Sequence, residues 1–374
     1  MSRVLAALIA LSLLAAACGG GDDEPVAEAD PVEEADAGTT DADADEADDT
    51  TDSPTTAPVV IEAGPKAPFT GLAADEELLD LAAVVVKVSN NDDRSLEALI
   101  GLEHADVVIE ERIEDRATRF AAIFHSALPE VVGPIRSART TDLQLLANLE
   151  RPLLVFSGAN LAVLAELRSF AQAGGAVLIP DDGLGTYHYR DEDFRAPDNL
   201  FIDLTVVRDD FGADAGAPVP IFTFRDAESQ TRPASVDGSG VTVTGRDIVS
   251  FVHDPARGYV RVQDGLVHVT RDGEPLVYTN VVMMETRYVA NVNDPESVDA
   301  ITVGEGSVDV MIGGRRFSGT WSRDTDDEPY VFNTTAGDEI VLEPGKTWIS
   351  LVPADTYEFS VDLETQGLVL GGDE

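Results

Sequence analysis

The sequence predicts an α/β domain with a mixed sheet and helices, then a mainly antiparallel β domain, behind a disordered acidic tether. Three observations carry this. Between residues 64 and 212, apolar β-branched runs alternate with stretches whose leucines recur at helical spacing. Between residues 218 and 355, short alternating segments are separated by glycine turns, as in antiparallel sheets. Residues 22–58 hold fifteen Asp or Glu and no Lys or Arg.

The chain opens on a leader. Arg3 is followed by "VLAALIALSLLAAAC", an apolar run ending in small residues. It is shorter than the ~20 residues that span a bilayer, so residues 1–17 read as a secretory signal. Cys18, the only cysteine, directly follows Ala15, Ala16 and Ala17. This resembles the lipobox of bacterial lipoproteins, although Ala15 stands where Leu is commoner. The resemblance implies an acylated Cys18 at the mature amino terminus, hence a membrane anchor and an extracytoplasmic location. A single cysteine cannot form an internal disulfide.

Residues 18–63 form the expected linker. Low in complexity and without aromatics, the segment cannot bury enough apolar surface to offset chain ordering. A coil of roughly 40 residues spans about 35 Å, and like-charge repulsion extends it. The run "DADADEADD" is spacer rather than a calcium loop, because counting from Asp41 puts Glu46 where the sharp-turn glycine is required.

Charge narrows the partners. The 374 residues carry 25 Lys and Arg against 70 Asp and Glu, a net charge of -45, about -30 of it on the folded part. That excludes nucleic acid as a partner and argues against electrostatic docking on anionic lipid. The acidic surface suits either a saline habitat or high-GC codon usage.

Within residues 64–212, "AAVVVKVSN" is a buried strand, and Leu96, Leu99 and Ile100 follow at helical spacing. "ADVVIEERIE" and "ATRFAAIFHS" are two strands around a turn near Glu114 and Asp115. In the second, Phe120, Ala122 and Phe124 face one side, and Arg119, Ile123 and His125 the other. "SARTTDLQLLANLE" reads as a helix with Ser137 as its N-cap. "PLLVFSG" is a strand, "NLAVLAELRSFAQAGG" a helix closed by glycines, "AVLIPDD" a strand and "APDNLFIDLTVVRDDF" a final helix. Within residues 218–355, strands are expected at "VPIFTFR", "GVTVTG", "GYVRVQDGLVHVT", "NVVMMETRYV", "SVDVMIGGRRFSGTWSR" and "KTWISLVP", ending near Pro353. Residues 356–374 are expected to be a frayed acidic tail. Trp321 and Trp348 are expected core residues.

Together, "VVVKVSNN", "VGPIRSAR", "RAPDNLF", "YVRVQDG", "GSVDVMIGGRRFSGTW" and "EPGKTWISLVP" resemble the YerB-like lipoproteins. This bacterial family is defined by a two-part domain of unknown function. The resemblance covers most of residues 68–353 and implies an envelope lipoprotein of this architecture, with no established reaction. Two departures stand out. Arg94-Ser95-Leu96 replaces the family's Arg-Pro-Gln, and Ala196-Pro197-Asp198-Asn199 replaces Ala-Pro-His-Asn.

Candidate chemistry centres on "GPIRSART". Arg136 and Arg139 bracket the expected helix start at Ser137, where cations are unfavourable by roughly 0.3–1 kcal/mol each and anions are welcome. Either they receive an anionic ligand such as phosphate or carboxylate, or they pair with carboxylates of the chain, Glu110 and Glu111 being candidates. His188, Arg190, Asp191, Arg195 and Asn199 form a second polar cluster. With Asn160, just past a strand end, they could complete a cleft where α/β sheets place ligands, or form a salt-bridged loop.

Enzyme signatures are sparse: there is no G-x-S-x-G, no H-E-x-x-H, no P-loop and no dinucleotide turn. The five histidines lack metal-ligand spacing, and no cofactor is expected. Carboxylate pairs such as Glu111 and Asp181 carry no weight among 70 acids. The reading favours a binding or scaffold protein of the envelope, meeting a protein partner or an anionic small ligand. The alternative is a cell-wall hydrolase or transferase whose arginines hold substrate.

Overall fold

The structure, a computed structural model, describes residues 64–183, 185–226, 232–294 and 297–359. The expected leader, Cys18, the expected linker and most of the expected acidic tail lie outside these residues. The chain divides into units Met1–Pro58 and Val59–Glu374, and the second is described here.

The first half runs α1 (Glu76–Leu79), β1 (Val84–Asn90), α2 (Asp93–Glu97), β2 (Val107–Arg112), β3 (Thr118–Phe124), α3 (Thr141–Leu146), β4 (Leu153–Phe156), α4 (Leu161–Gln172), β5 (Val177–Pro180), β6 (His188–Arg190), β7 (Leu200–Ile202) and α5 (Leu204–Phe211). All seven residues of β1 are buried, as its unbroken apolar run requires of a strand covered on both faces. It pairs antiparallel with β3 and parallel with β4, so the sheet is mixed.

The second half is nearly all strand. It contains β8 (Val236–Asp237), β9 (Gly240–Thr244), β10 (Ile248–Asp254), β11 (Gly258–Gln263), β12 (Leu266–Val267), β13 (Val277–Tyr278), β14 (Asn280–Glu285), β15 (Tyr288–Ala290) and β16 (Val298–Ala300). Then come β17 (Gly304–Ile312), β18 (Arg315–Arg323), β19 (Val331–Thr334), β20 (Thr347–Val352) and β21 (Tyr357–Glu358).

The two halves share one sheet. Its order is β19-β18-β17-β14-β20-β2-β3-β1-β4-β5, with β8 added beside β18. The seam is β20, parallel to β14 on one side and to β2 on the other, with Ile349 opposite both Val282 and Ile109. Every residue of β20 is buried. A smaller sheet, β12-β11-β10-β9-β21 with β13 beside β11, covers part of one face. There Trp348 meets Phe120 at 5.0 Å, Tyr278 at 5.0 Å and Phe251 at 5.5 Å between ring centres. The other face packs α3, α4 and the aromatic group of Phe222, Trp321 and Phe332. Both tryptophans are core residues, as expected.

Several elements depart from expectation. The helix after "GPIRSART" starts at Thr141, not at Ser137, and spans six residues. Ser137 is therefore not an N-cap. Residues 93–100 are helical only to Glu97, since Ile100 bridges Gly133 instead. "APDNLFIDLTVVRDDF" splits into β7 and α5, because Leu200–Ile202 pairs with β6 and Asp203 caps the helix through Thr205 N–H at 2.9 Å. In "VPIFTFR" only Phe224 bridges, to Leu342. The chain stays ordered past Pro353, where Tyr357 and Glu358 pair with Val243 and Thr242 of β9.

Candidate functional site

The parallel strands β1, β4 and β5 all end at one edge of the main sheet, where the antiparallel β3 begins and β2 and β20 end. Open α/β sheets bind ligands outside this carboxyl edge. Most charged side chains of interest gather there.

The deepest is Lys87, one of only three lysines. Its place in the β1 apolar run turns it toward α3. Its Nζ, without exposure, donates to Glu111 Oε1 at 2.5 Å and Asp142 Oδ1 at 2.6 Å. Burial raises the Glu111 carboxyl above its ordinary range; Lys87 opposes this and Asp142 adds to it.

Asp142 also closes the start of α3. Its Oδ2 accepts from the Arg139 backbone N–H at 2.7 Å. The chain itself thus supplies a carboxylate to the Arg139 N–H just before this helix start.

The two arginines of the motif also meet internal acids. Arg139 Nη2 donates to Glu114 Oε2 at 2.7 Å. Burial pushes the Glu114 carboxyl up, but hydrogen bonds from Arg139 and Ser297 outweigh it and hold the group below its usual range. Arg136 Nε lies 3.7 Å from Asp198 Oδ1, which accepts from Ser89 Oγ at 2.9 Å. The acids are Glu114 and Asp198 rather than Glu110 and Glu111. Asp198 occupies the position where the resembled family carries histidine, and here it answers Arg136. Ser95, the other departure, closes a capping box at the start of α2 with Asp92.

Arg119 is different. It is 2% exposed, and among the described residues no carboxylate lies within ion-pair distance of it. Its Nη1 donates to the Ser137 carbonyl at 3.1 Å and its Nη2 to Asn91 Oδ1 at 3.3 Å. Among the described residues its Nε is buried without a hydrogen-bond partner, as are the Nε atoms of Arg139 and of Arg136, the latter only in ion-pair range of Asp198. Burial, then Arg139 and Arg136, pull its pKa down to about 9, against the opposing pull of Glu111 and Glu114. The edge therefore holds three neighbouring guanidinium groups whose innermost member lacks an anion. A buried charge without a counter-ion is costly, so this arrangement favours receiving one.

The remaining predicted residues do not join this group directly. Asn160 caps α4 through Val163 N–H at 2.9 Å and donates to Asp294 Oδ2 at 2.5 Å. Arg190 donates to Asn199 Oδ1 at 2.9 Å and Asp181 Oδ2 at 3.2 Å, a separate polar trio. Arg195 lines a shallow hollow with Arg94, Phe194 and Asp198. Sequence reasoning missed Arg119 as a site residue. Its only signal was a charged residue on a strand face otherwise carrying Ala121 and Ile123. Among the described residues, no group of three or more His, Cys, Asp or Glu is arranged to hold a metal.

Comparison with known proteins follows the same architecture. Residues 69–216 match the family described as "Protein of unknown function (DUF3048) N-terminal domain", and residues 241–349 its C-terminal domain. The chain is 26% identical over 296 residues to "Putative lipoprotein YerB" of Bacillus subtilis (strain 168), covering 77% of this chain and 86% of that protein. The crystal structure of YerB protein from Bacillus subtilis is similar with a TM-score of 0.67 at 25% identity, covering 79% of this chain and 100% of that one.

Proposed function

The chain belongs to the DUF3048 family, and from that premise we propose an extracytoplasmic lipoprotein, anchored through Cys18, that binds an anionic small ligand. The site is the guanidinium group of Arg119, Arg136 and Arg139. The lipoprotein part is supported by the leader and by the name of the Bacillus subtilis relative. The ligand part rests on one observation: Arg119 is buried beside two further arginines, with no carboxylate of its own among the described residues. In a chain with 70 acids, an unanswered buried cation is a feature that ligand binding would explain.

The second reading, a hydrolase or transferase acting on cell-wall material, needs an acid or base at this edge. Glu111 has the raised pKa such a role favours. Yet Lys87 holds it at 2.5 Å and no part of its side chain is exposed. Binding is the better supported reading.

The test is thermal unfolding against phosphate, acetate and anionic wall fragments at fixed ionic strength, with wild type and Arg136→Gln. A ligand at a hundred times its Kd adds roughly 2.7 kcal/mol. For a chain of this size that is a rise in Tm of about 5 °C. The reading requires this rise in wild type and its loss in Arg136→Gln. Equal rises in both, or none with any anion, would sink it.

A further inference from the structure

A cleft opens on the opposite face of the same edge, between the β9–β10 turn and the ends of β2, β3 and β20. Strand alternation separates the two sites: Thr118 lines this cleft, while its neighbour Arg119 turns to the α3 face. The walls are largely apolar, formed by Val243, Val249, Leu351, Val352 and Pro353. Arg112, Arg116 and Arg246 stand around them. None of the three makes an ion pair or a side-chain hydrogen bond among the described residues, and Arg112 Nε is buried with no partner. Of the two acids in the cleft, Glu110 is already engaged, by Thr118 Oγ1 at 2.7 Å and Arg261 Nη2 at 3.3 Å. Asp247 is the other acid of the lining.

Apolar walls under unanswered guanidinium groups recognise one chemistry. We infer that this cleft is a binding site for a small amphipathic anion, a phosphate or carboxylate carried on a single short apolar chain. The guanidinium groups take the anionic head, with the planar donor fork suited to either oxyanion. The walls bury the chain. The volume, about 220 Å³, limits the size. It falls below the ~300–1,000 Å³ of pockets for drug-sized ligands, so one short chain fits and a two-chain lipid does not.

The experiment is thermal unfolding of the full chain with octyl phosphate and with octanoate, beside inorganic phosphate, acetate and octanol, at fixed ionic strength. Each is repeated on Arg246→Gln, an exposed position whose change leaves the core intact, and on Arg112→Gln. The expected result is that one or both amphiphiles stabilise the wild type at concentrations at least tenfold lower than the three controls. Each substitution should weaken that effect tenfold or more. If octanol matches the amphiphiles, or both variants respond like wild type, the inference is wrong. If Arg136→Gln, run alongside as a site control, loses the effect and Arg246→Gln does not, the amphiphile sits at the Arg119 site. This inference then falls while the proposed function stands.

Discussion

Lys87 Nζ lies 2.5 Å from Glu111 Oε1 and 2.6 Å from Asp142 Oδ1, and none of the three side chains is exposed beyond 1%. One buried ammonium thus holds together β1, β2 and the start of α3 beneath the arginine group. Lys87→Met removes the cation bonded to both acids and leaves them buried. Breaking a buried ion pair this way costs about 3–5 kcal/mol. Urea unfolding should show that loss with little change in the m-value, and a loss under 1 kcal/mol would contradict it.

Trp348 closes the seam. It packs on Phe120, Phe251 and Tyr278 with Arg261 4.8 Å above its ring, tying the last long strand to both sheets. Trp348→Ala is expected to cost about 3–5 kcal/mol, read from the shift in the unfolding midpoint. Trp348→Phe should cost distinctly less.

Glu114 makes part of the stability depend on pH. Its folded pKa lies below its unfolded one, so protonation favours the unfolded chain. Its contribution is therefore complete above its ordinary value of 4.5 and is lost as the pH falls through the folded value. Glu111 has the opposite sign: its carboxyl is raised, so its penalty grows as the pH rises. Comparing wild type with Glu114→Gln from pH 7 to pH 3 isolates the first effect. The stability gap should narrow on acidification, and a constant gap would refute the assignment.

Because β20 is shared, the first half should not fold alone. Residues 64–216 would expose the outer edge of β2 and the apolar face that carries Phe120, a site for aggregation. Expressed alone, this fragment is expected to lack dispersed amide resonances in an NMR spectrum. Adding residues 217–374 should restore them. A well-dispersed spectrum of the isolated fragment would show that the seam is dispensable.

These relationships explain what was legible in the sequence. β1, β4 and α4 were legible because local periodicity alone specifies them, and β2 and β3 because an apolar alternation flanks a short turn. The seam was not, because Ile349 and Ile109 pair across 240 positions with no local trace. The helix after Ser137 read too long since Ser137 and Thr140 are both acceptable N-caps, and the chain uses the later one. At the site, Arg136 and Arg139 stood out by their spacing, but their partners Asp198 and Glu114 lie far off in sequence or past a turn. Arg119 was visible as a residue; its lack of a counter-ion exists only in three dimensions.

The central claim is that an anion completes the Arg119 group. The most direct measurement is the arginine side-chain NMR spectrum, followed at the Nε–H of Arg119 during a phosphate titration at fixed ionic strength. Among the described residues that Nε–H has no hydrogen-bond partner. The account predicts a saturable shift and slower exchange with solvent for Arg119, accompanied by Arg136 and Arg139. If only exposed arginines such as Arg94 and Arg257 respond, and Arg119 stays unmoved across the titration, the group is an internal strut and the claim is wrong.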